Sequence, residues 1–164
     1  IRNERKVRAW VDNAQVMQTL IQEHGSFRNF LYSFGQLTAL EDVLLLKETL
    51  EAKFAYLGGI TVYHFMTDAG LPVLKPDRVI TRIFQRLELN EDERQLLKTF
   101  LHGQKFAADT GLPIRYIDIV FVLYGQASAT AYGITQGVCL ADPRCSACSL
   151  RQVHCRYSLG TTRS

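Results

Sequence analysis

The chain has no cysteine before Cys139, no apolar run approaching the length of a membrane span, and no period-two alternation of useful length. Each gap excludes a class of protein. Disulfide scaffolds spread their cysteines to close long loops, so bunched cysteines and the lack of a hydrophobic signal segment point to a reducing, intracellular compartment, the cytoplasm. A spanning helix needs about 20 apolar residues, so no membrane partner is expected. Half-buried strands would alternate their faces, so a sheet architecture is set aside. There is no internal repeat, no long low-complexity tract and no initiator Met. The first residues read as the inside of a helix, so the chain is expected to lack an N-terminal portion. Strong charge imbalance is missing too: 19 Lys and Arg face 16 Asp and Glu, and the net charge of +3 points only weakly to nucleic acid.

What is present is an ordinary folded composition, 47% hydrophobic and 21% charged, long enough to bury a core without crosslinks. Basic residues gather at Arg2, Arg5, Lys6 and Arg8 and again at Lys75, Arg78, Arg82 and Arg86, while acidic ones concentrate from Glu88 to Glu93. From Lys6 to Gln22 the apolar positions recur every three or four residues, which predicts a helix that His24 and Gly25 end. Further helices are predicted over Ser26 to Phe34, Leu40 to Ala55, Val62 to Ala69, Arg78 to Leu87, Glu91 to His102 and Pro113 to Tyr124. Gly58 and Gly59 interrupt the pattern after Leu57 and predict a tight turn between two helices. Gly70 to Pro76 is an extended link, because proline disfavours a helical residue before it. Asp77 then sits where an N-cap would sit. The fold class is all-α.

The four cysteines form one run, Cys139-LADPR-Cys145-SA-Cys148-SLRQVH-Cys155. Two thiolates separated by two residues can face one metal centre, and the outer pair can complete a four-sulfur cage. Disulfide pairing is the structural alternative. Soft thiolates suit a [4Fe-4S] cluster or a zinc ion, and spacing does not separate them. His154 could replace a cysteine in a zinc site, although a surface position suits it as well. Arg144, Arg151 and Arg156 would make the loop a basic projection toward phosphate.

The chain carries two resemblances to known families. Leu57-Gly58-Gly59, then Asp77, then Arg82 and Arg86 five and nine positions later resemble the helix-hairpin-helix DNA glycosylases that include endonuclease III and the mismatch adenine glycosylase. The cysteine run, with its Pro143-Arg-Cys-x-x-Cys148 core, is similar to that family's iron-sulfur loop, with the outer spacings of five and six reversed. Ile1-Arg-Asn-x-x-Lys6 with Asn13-Ala14, and Lys53-Phe-x-x-Leu-Gly58 with Thr61-Val-Tyr-x-Phe-Met66 and Gly70-Leu71, resemble DNA-3-methyladenine glycosylase I over Ile1 to about Asp77. That family's substrate-contacting glutamate and aromatic residues have no counterpart here.

The resemblance implies a helix-hairpin-helix bundle over residues 1–136, with the hairpin at about 44–69 and the cluster loop and tail at 137–164. Leu57, Gly58, Gly59, Ile60 and Thr61 would grip a DNA phosphate through backbone N–H groups, with Lys75 and Arg78 as further DNA contacts. For the glycines, the structural alternative is a close helix-helix crossing. Asp77 is the candidate catalytic carboxylate, stabilising positive charge on the sugar and orienting water. Ile60 falls where strand-cutting relatives carry a nucleophilic lysine, so a monofunctional enzyme is expected, with Lys75 as a remoter source of an amine. Tyr56, Tyr63, His64 and Phe65 are mostly expected to pack the core. The expected protein is a monomeric repair glycosylase with a [4Fe-4S] cluster, or zinc in its place. Its substrate would be double-stranded DNA carrying a damaged base, with alkylated purine favoured. The competing class is a noncatalytic helix-hairpin-helix DNA-binding module.

Overall fold

The computed structural model describes residues 3–128, 130–151 and 154–157, and its described residues form seven α-helices and two short 3-10 turns, without a β-strand. The helices are α1 (Glu4–His24), α2 (Phe27–Tyr32), α3 (Leu40–Lys53), α4 (Ile60–Asp68), α5 (Arg78–Arg86), α6 (Leu96–Thr110) and α7 (Ile114–Gly125). The all-α reading therefore holds. Among the described residues no helix is long and apolar enough to cross a membrane. The chain divides into two compact units, Ile1–Pro72 and Val73–Ser164.

In the first unit α1 packs on α2 and α3 on α4. The start of α1 corrects one expectation: Asn3 is an N-cap whose side chain accepts from the Lys6 N–H, so the helix begins here instead of running through. Gly25 ends it in the left-handed conformation, at φ 78°. Val43, Leu46 and Leu50 of α3 and Val62, Tyr63 and Met66 of α4 are buried, and Phe27, Phe54 and Phe65 pack edge to face or stacked between the elements.

In the second unit α5, α6 and α7 pack on one another around Ile80, Ile83, Phe84, Phe100 and Ile117. Phe84 meets Phe106 and Phe121 with ring centroids 5.7 and 4.8 Å apart. The periodicity misplaced α6 at both ends. Residues 91–95 form a turn closed by Asp92 Oδ1, which accepts from the Arg94 N–H, and by Gln95 Oε1, which accepts from the Glu91 N–H. The helix then passes His102 and continues through Gly103 to Thr110. Gly103, just past the expected end, is a contact point: a Cβ there would lie 2.7 Å from Leu74 Cδ1 and 3.1 Å from Leu74 Cβ. Leu74 is fully buried and cannot retreat. Gly103→Ala is therefore expected to lower stability by about 1–3 kcal/mol despite the better helix propensity of alanine, as overpacking a filled core does. Chemical denaturation of the two proteins measures it.

Candidate active site and cysteine loop

In the first unit the turn between α3 and α4 places Gly58, Gly59 and Thr61 at the surface with Leu57 and Ile60 half-buried. Gly59 adopts φ 57° and ψ −120°, a conformation that glycine alone takes readily. A Cβ on Gly58 or Gly59 would meet nothing within 4 Å, so these glycines serve the turn and not a close helix crossing. Asn13 of α1 braces the approach by accepting from the Ala55 N–H at 2.8 Å and donating to the Ala55 carbonyl at 2.9 Å. The Gly59 N–H is already engaged: it donates to Glu51 Oε1 at 3.0 Å, and Glu51 Oε2 pairs with Lys47 Nζ at 2.8 Å. A carboxylate thus stands beside the N-terminus of α4, where an anion is favoured. Burial, then the Glu51 charge, push the Tyr63 hydroxyl up to about 12.

Of the four aromatic positions around the turn, Tyr63 is buried and Phe65 half-buried, whereas His64 and Tyr56 are exposed, which corrects the packing expected for those two. Tyr56 holds a positive φ of 60° and, with Trp10, Met17, Phe54, Leu57 and Phe65, lines a groove of about 750 Å³ within this unit.

In the second unit Asp77 caps α5. Its Oδ1 accepts from the Val79 N–H at 2.9 Å and from the Ile80 N–H at 3.0 Å, and its Oδ2 faces Lys75 Nζ at 3.2 Å. The side chain is 17% exposed, close to solvent without being open to it. Arg78, the first residue of α5, is exposed. Arg82 and Arg86 point to the cysteine loop: Arg82 Nη2 donates to the carbonyls of Gly125 and Cys139, and Arg86 donates to the carbonyls of Leu140 and Ala141 and to Cys139 Sγ at 3.2 Å. The Arg86 guanidinium also lies over the Tyr157 ring, 4.4 Å from its centroid.

Asp118 was not singled out by sequence reasoning. It lies on α7, is 1% exposed, accepts from the Lys75 N–H on Oδ1 at 2.9 Å and pairs with Arg115 through Oδ2. A signal existed: an acid stood on the apolar face marked by Ile114, Ile117 and Phe121, where a charge needs partners. Burial pushes its carboxyl above the ordinary range. The Lys75 N–H and the Arg115 and Lys75 charges oppose that, and the Asp77 charge adds to it.

All four cysteines lie in the second unit, form no disulfide, and line one cavity of about 20 Å³ with Arg86, Val138, Pro143, Arg151 and Tyr157. An adjoining cavity of about 230 Å³ is lined by Cys139, Cys148 and Cys155 together with Ile83, Phe121 and Tyr124. Tyr124 donates its hydroxyl to Cys148 Sγ at 3.0 Å, and burial, then that bond and the surrounding sulfurs, push the Tyr124 hydroxyl up. Burial, then Cys155, Cys148 and Cys139, push the Cys145 thiol up against the pull of Arg86. Among the described residues no three His, Cys, Asp or Glu side chains converge closely enough to hold a single metal ion. The expected basic projection is kept only in part: Arg144 is exposed, Arg151 lines the cysteine cavity, and the exposed Arg156 pairs with Glu88 at the surface. His154 is exposed.

The methyladenine glycosylase family model matches residues 1–75. The N-terminal half of the chain, which carries the glycine turn, is therefore DNA-glycosylase-like. Neither the curated proteins nor the solved structures give a match.

The raised carboxyl of Asp118 fixes the sign of a pH effect. A carboxyl with a raised folded pKa adds stability when protonated and loses it as pH rises through that pKa. As pH falls from neutrality toward the ordinary 3.8, wild type should therefore gain melting temperature relative to Asp118→Asn. Parallel melts across that range check it, and a difference that stays flat or runs the other way would contradict the assignment.

Proposed function

We propose that the chain is a monofunctional DNA N-glycosylase that hydrolyses the bond between deoxyribose and a damaged base, with an alkylated purine of the 3-methyladenine type as substrate. Asp77 is the catalytic carboxylate. The observation that carries the reading is its geometry: two N–H groups hold one oxygen at the positive end of α5, and the other oxygen pairs with Lys75 near solvent. As the base departs, the sugar becomes electron-poor, and a fixed carboxylate stabilises that charge and orients the attacking water. The glycosylase-like N-terminal half supports a DNA substrate. Its glycine turn would hold the backbone through Leu57, Gly58, Gly59, Ile60 and Thr61, with Lys75 and Arg78 as further contacts. The aromatic groove in the same unit offers stacking surface of the kind an extruded base needs. Hydrolysis by water, without strand cleavage, follows from Ile60, which has no amine.

One observation favours the competing noncatalytic module: with Lys75 at 3.2 Å, both Asp77 oxygens already have structural partners. Asp77→Asn separates the readings, because asparagine caps a helix about as well as aspartate. Loss of the charge should slow base release from modified duplexes by roughly a hundredfold or more, the scale of a lost general base, while duplex affinity changes little. Release at the wild-type rate would leave the module reading.

The reading includes a [4Fe-4S] cluster held by Cys139, Cys145, Cys148 and Cys155. Four thiols grouped around one cavity suit a soft-ligand centre, and the loop's resemblance to an iron-sulfur loop favours the cluster over a single zinc. Bound there, the cluster would crosslink the loop and supply a redox-active centre. Protein purified without air should contain iron and inorganic sulfide in equal amounts and absorb broadly in the visible. Zinc without sulfide would replace the cluster by a structural ion.

A further inference from the structure

Lys75 is the hinge between two carboxylates. Its backbone N–H donates to Asp118 Oδ1 at 2.9 Å, and its side-chain ammonium lies 3.2 Å from Asp77 Oδ2. The segment that contains it, Val73 to Asp77, has no regular secondary structure, so few backbone bonds fix it. Two further contacts restrain it: Leu74 is buried against Gly103 of α6, and the Asp77 N–H donates to the Lys75 carbonyl at 2.8 Å. Asp118 is the tie that reaches it from α7. A buried acid is costly to keep unless its partners need it, and here one partner is a peptide group two residues before the candidate catalytic carboxylate.

We infer that Asp118 is a positioning residue for Asp77: by accepting from the Lys75 N–H it fixes the extended segment, and so the place and orientation of the Asp77 carboxylate at the head of α5. The inference rests on the glycosylase reading for its catalytic consequence, though not for its structural one. Arg115 offsets the Asp118 charge from the solvent side, its own side chain being 47% exposed. It can swing into water, which leaves the Lys75 bond as the contact that matters for position.

The test compares wild type with Asp118→Ala, Asp118→Leu and Asp118→Asn in the whole chain. Alanine and leucine both remove the acceptor, and leucine fills the space should alanine fail to fold. Asparagine keeps an acceptor oxygen in place. Two quantities are read. The first is amide hydrogen exchange at Val79 and Ile80, the donors to Asp77 Oδ1, against the buried amides of α6 as an internal reference. The second is single-turnover base release with duplex affinity measured alongside.

In the acceptor-less variants, exchange at Val79 and Ile80 should quicken roughly tenfold with the α6 amides unmoved. Release should slow about ten- to a hundredfold at near-constant affinity, the scale of a misplaced catalytic group. Asparagine should restore most of both. Unchanged exchange at Val79 and Ile80, loss of protection spread evenly over the unit, or failure of asparagine to rescue would each overturn the inference. If wild type itself frees no base from any modified duplex, the glycosylase reading fails and the exchange measurement alone still decides whether Asp118 positions Asp77.

Discussion

The second unit depends on a guanidinium link between a helix and a loop that has almost no regular structure of its own. Among the described residues of 126–157 there are two 3-10 turns and a short helical stretch at Arg156 and Tyr157. Carbonyls in such a segment must find donors or remain in water. Arg82 and Arg86, one turn apart on α5, supply them to Gly125, Cys139, Leu140 and Ala141. Arginine suits this because its planar fork donates in several directions at once. The same α5 carries Asp77 at its other end, so one nine-residue helix joins the candidate reactive carboxylate to the cysteine loop. A rigid helix transmits position, and the register of the loop and the setting of Asp77 cannot be altered independently. Gly125 tightens this further, since a Cβ there would meet Val79 Cγ1 at 2.4 Å and Ile83 Cδ1 at 2.8 Å on α5.

The glycine turn of the first unit obeys a different constraint. A turn that presents N–H groups to an anion must keep them from collapsing onto other acceptors when no anion is bound. Here Glu51 takes the Gly59 N–H, and Lys47 neutralises Glu51. A phosphate arriving at this turn would meet a carboxylate first, and its binding would require Glu51 to give way or to remain beside it with Lys47 balancing the charge. The N-terminus of α4 adds a favourable partial charge either way. If the turn does hold a DNA phosphate, duplex affinity would depend on this local exchange of anions as well as on the 19 Lys and Arg of the chain.

Much of this was legible in the sequence because the signals were local. A helix was expected near each of the seven, Gly25 ended α1 and Asp77 capped α5, since capping chemistry needs only neighbours within one turn. What escaped depended on contacts distant in sequence. The end expected for α6 at His102 fell short of Thr110, and nothing near Gly103 in sequence shows that Leu74 lies against it. Arg82 and Arg86 read as basic residues behind a catalytic acid, and only the fold shows them turned to carbonyls more than forty positions away. Asp118 was marked as an acid on an apolar face, but its partner in the linking segment, a backbone N–H 43 residues earlier, leaves no trace in composition or spacing.

The arrangement at Asp77 would allow one acid both to cap a helix and to serve the proposed reaction. A helix N-terminus stabilises negative charge and fixes the oxygen that accepts its N–H groups, which restrains the carboxylate without using its second oxygen. That second oxygen faces Lys75, whose side chain is 20% exposed and long enough to move. While the ammonium is 3.2 Å away the carboxylate is largely neutralised and does little for a developing cation on a sugar. A DNA backbone supplies phosphates that compete for the same ammonium. Drawing Lys75 away would leave Asp77 charged, held on one side and open on the other, so that the duplex would expose the carboxylate at the moment its substrate arrives. A free protein with an ion pair at this place is therefore compatible with a catalytic acid, provided the segment carrying both side chains is held from behind, and Asp118 is the group that holds it.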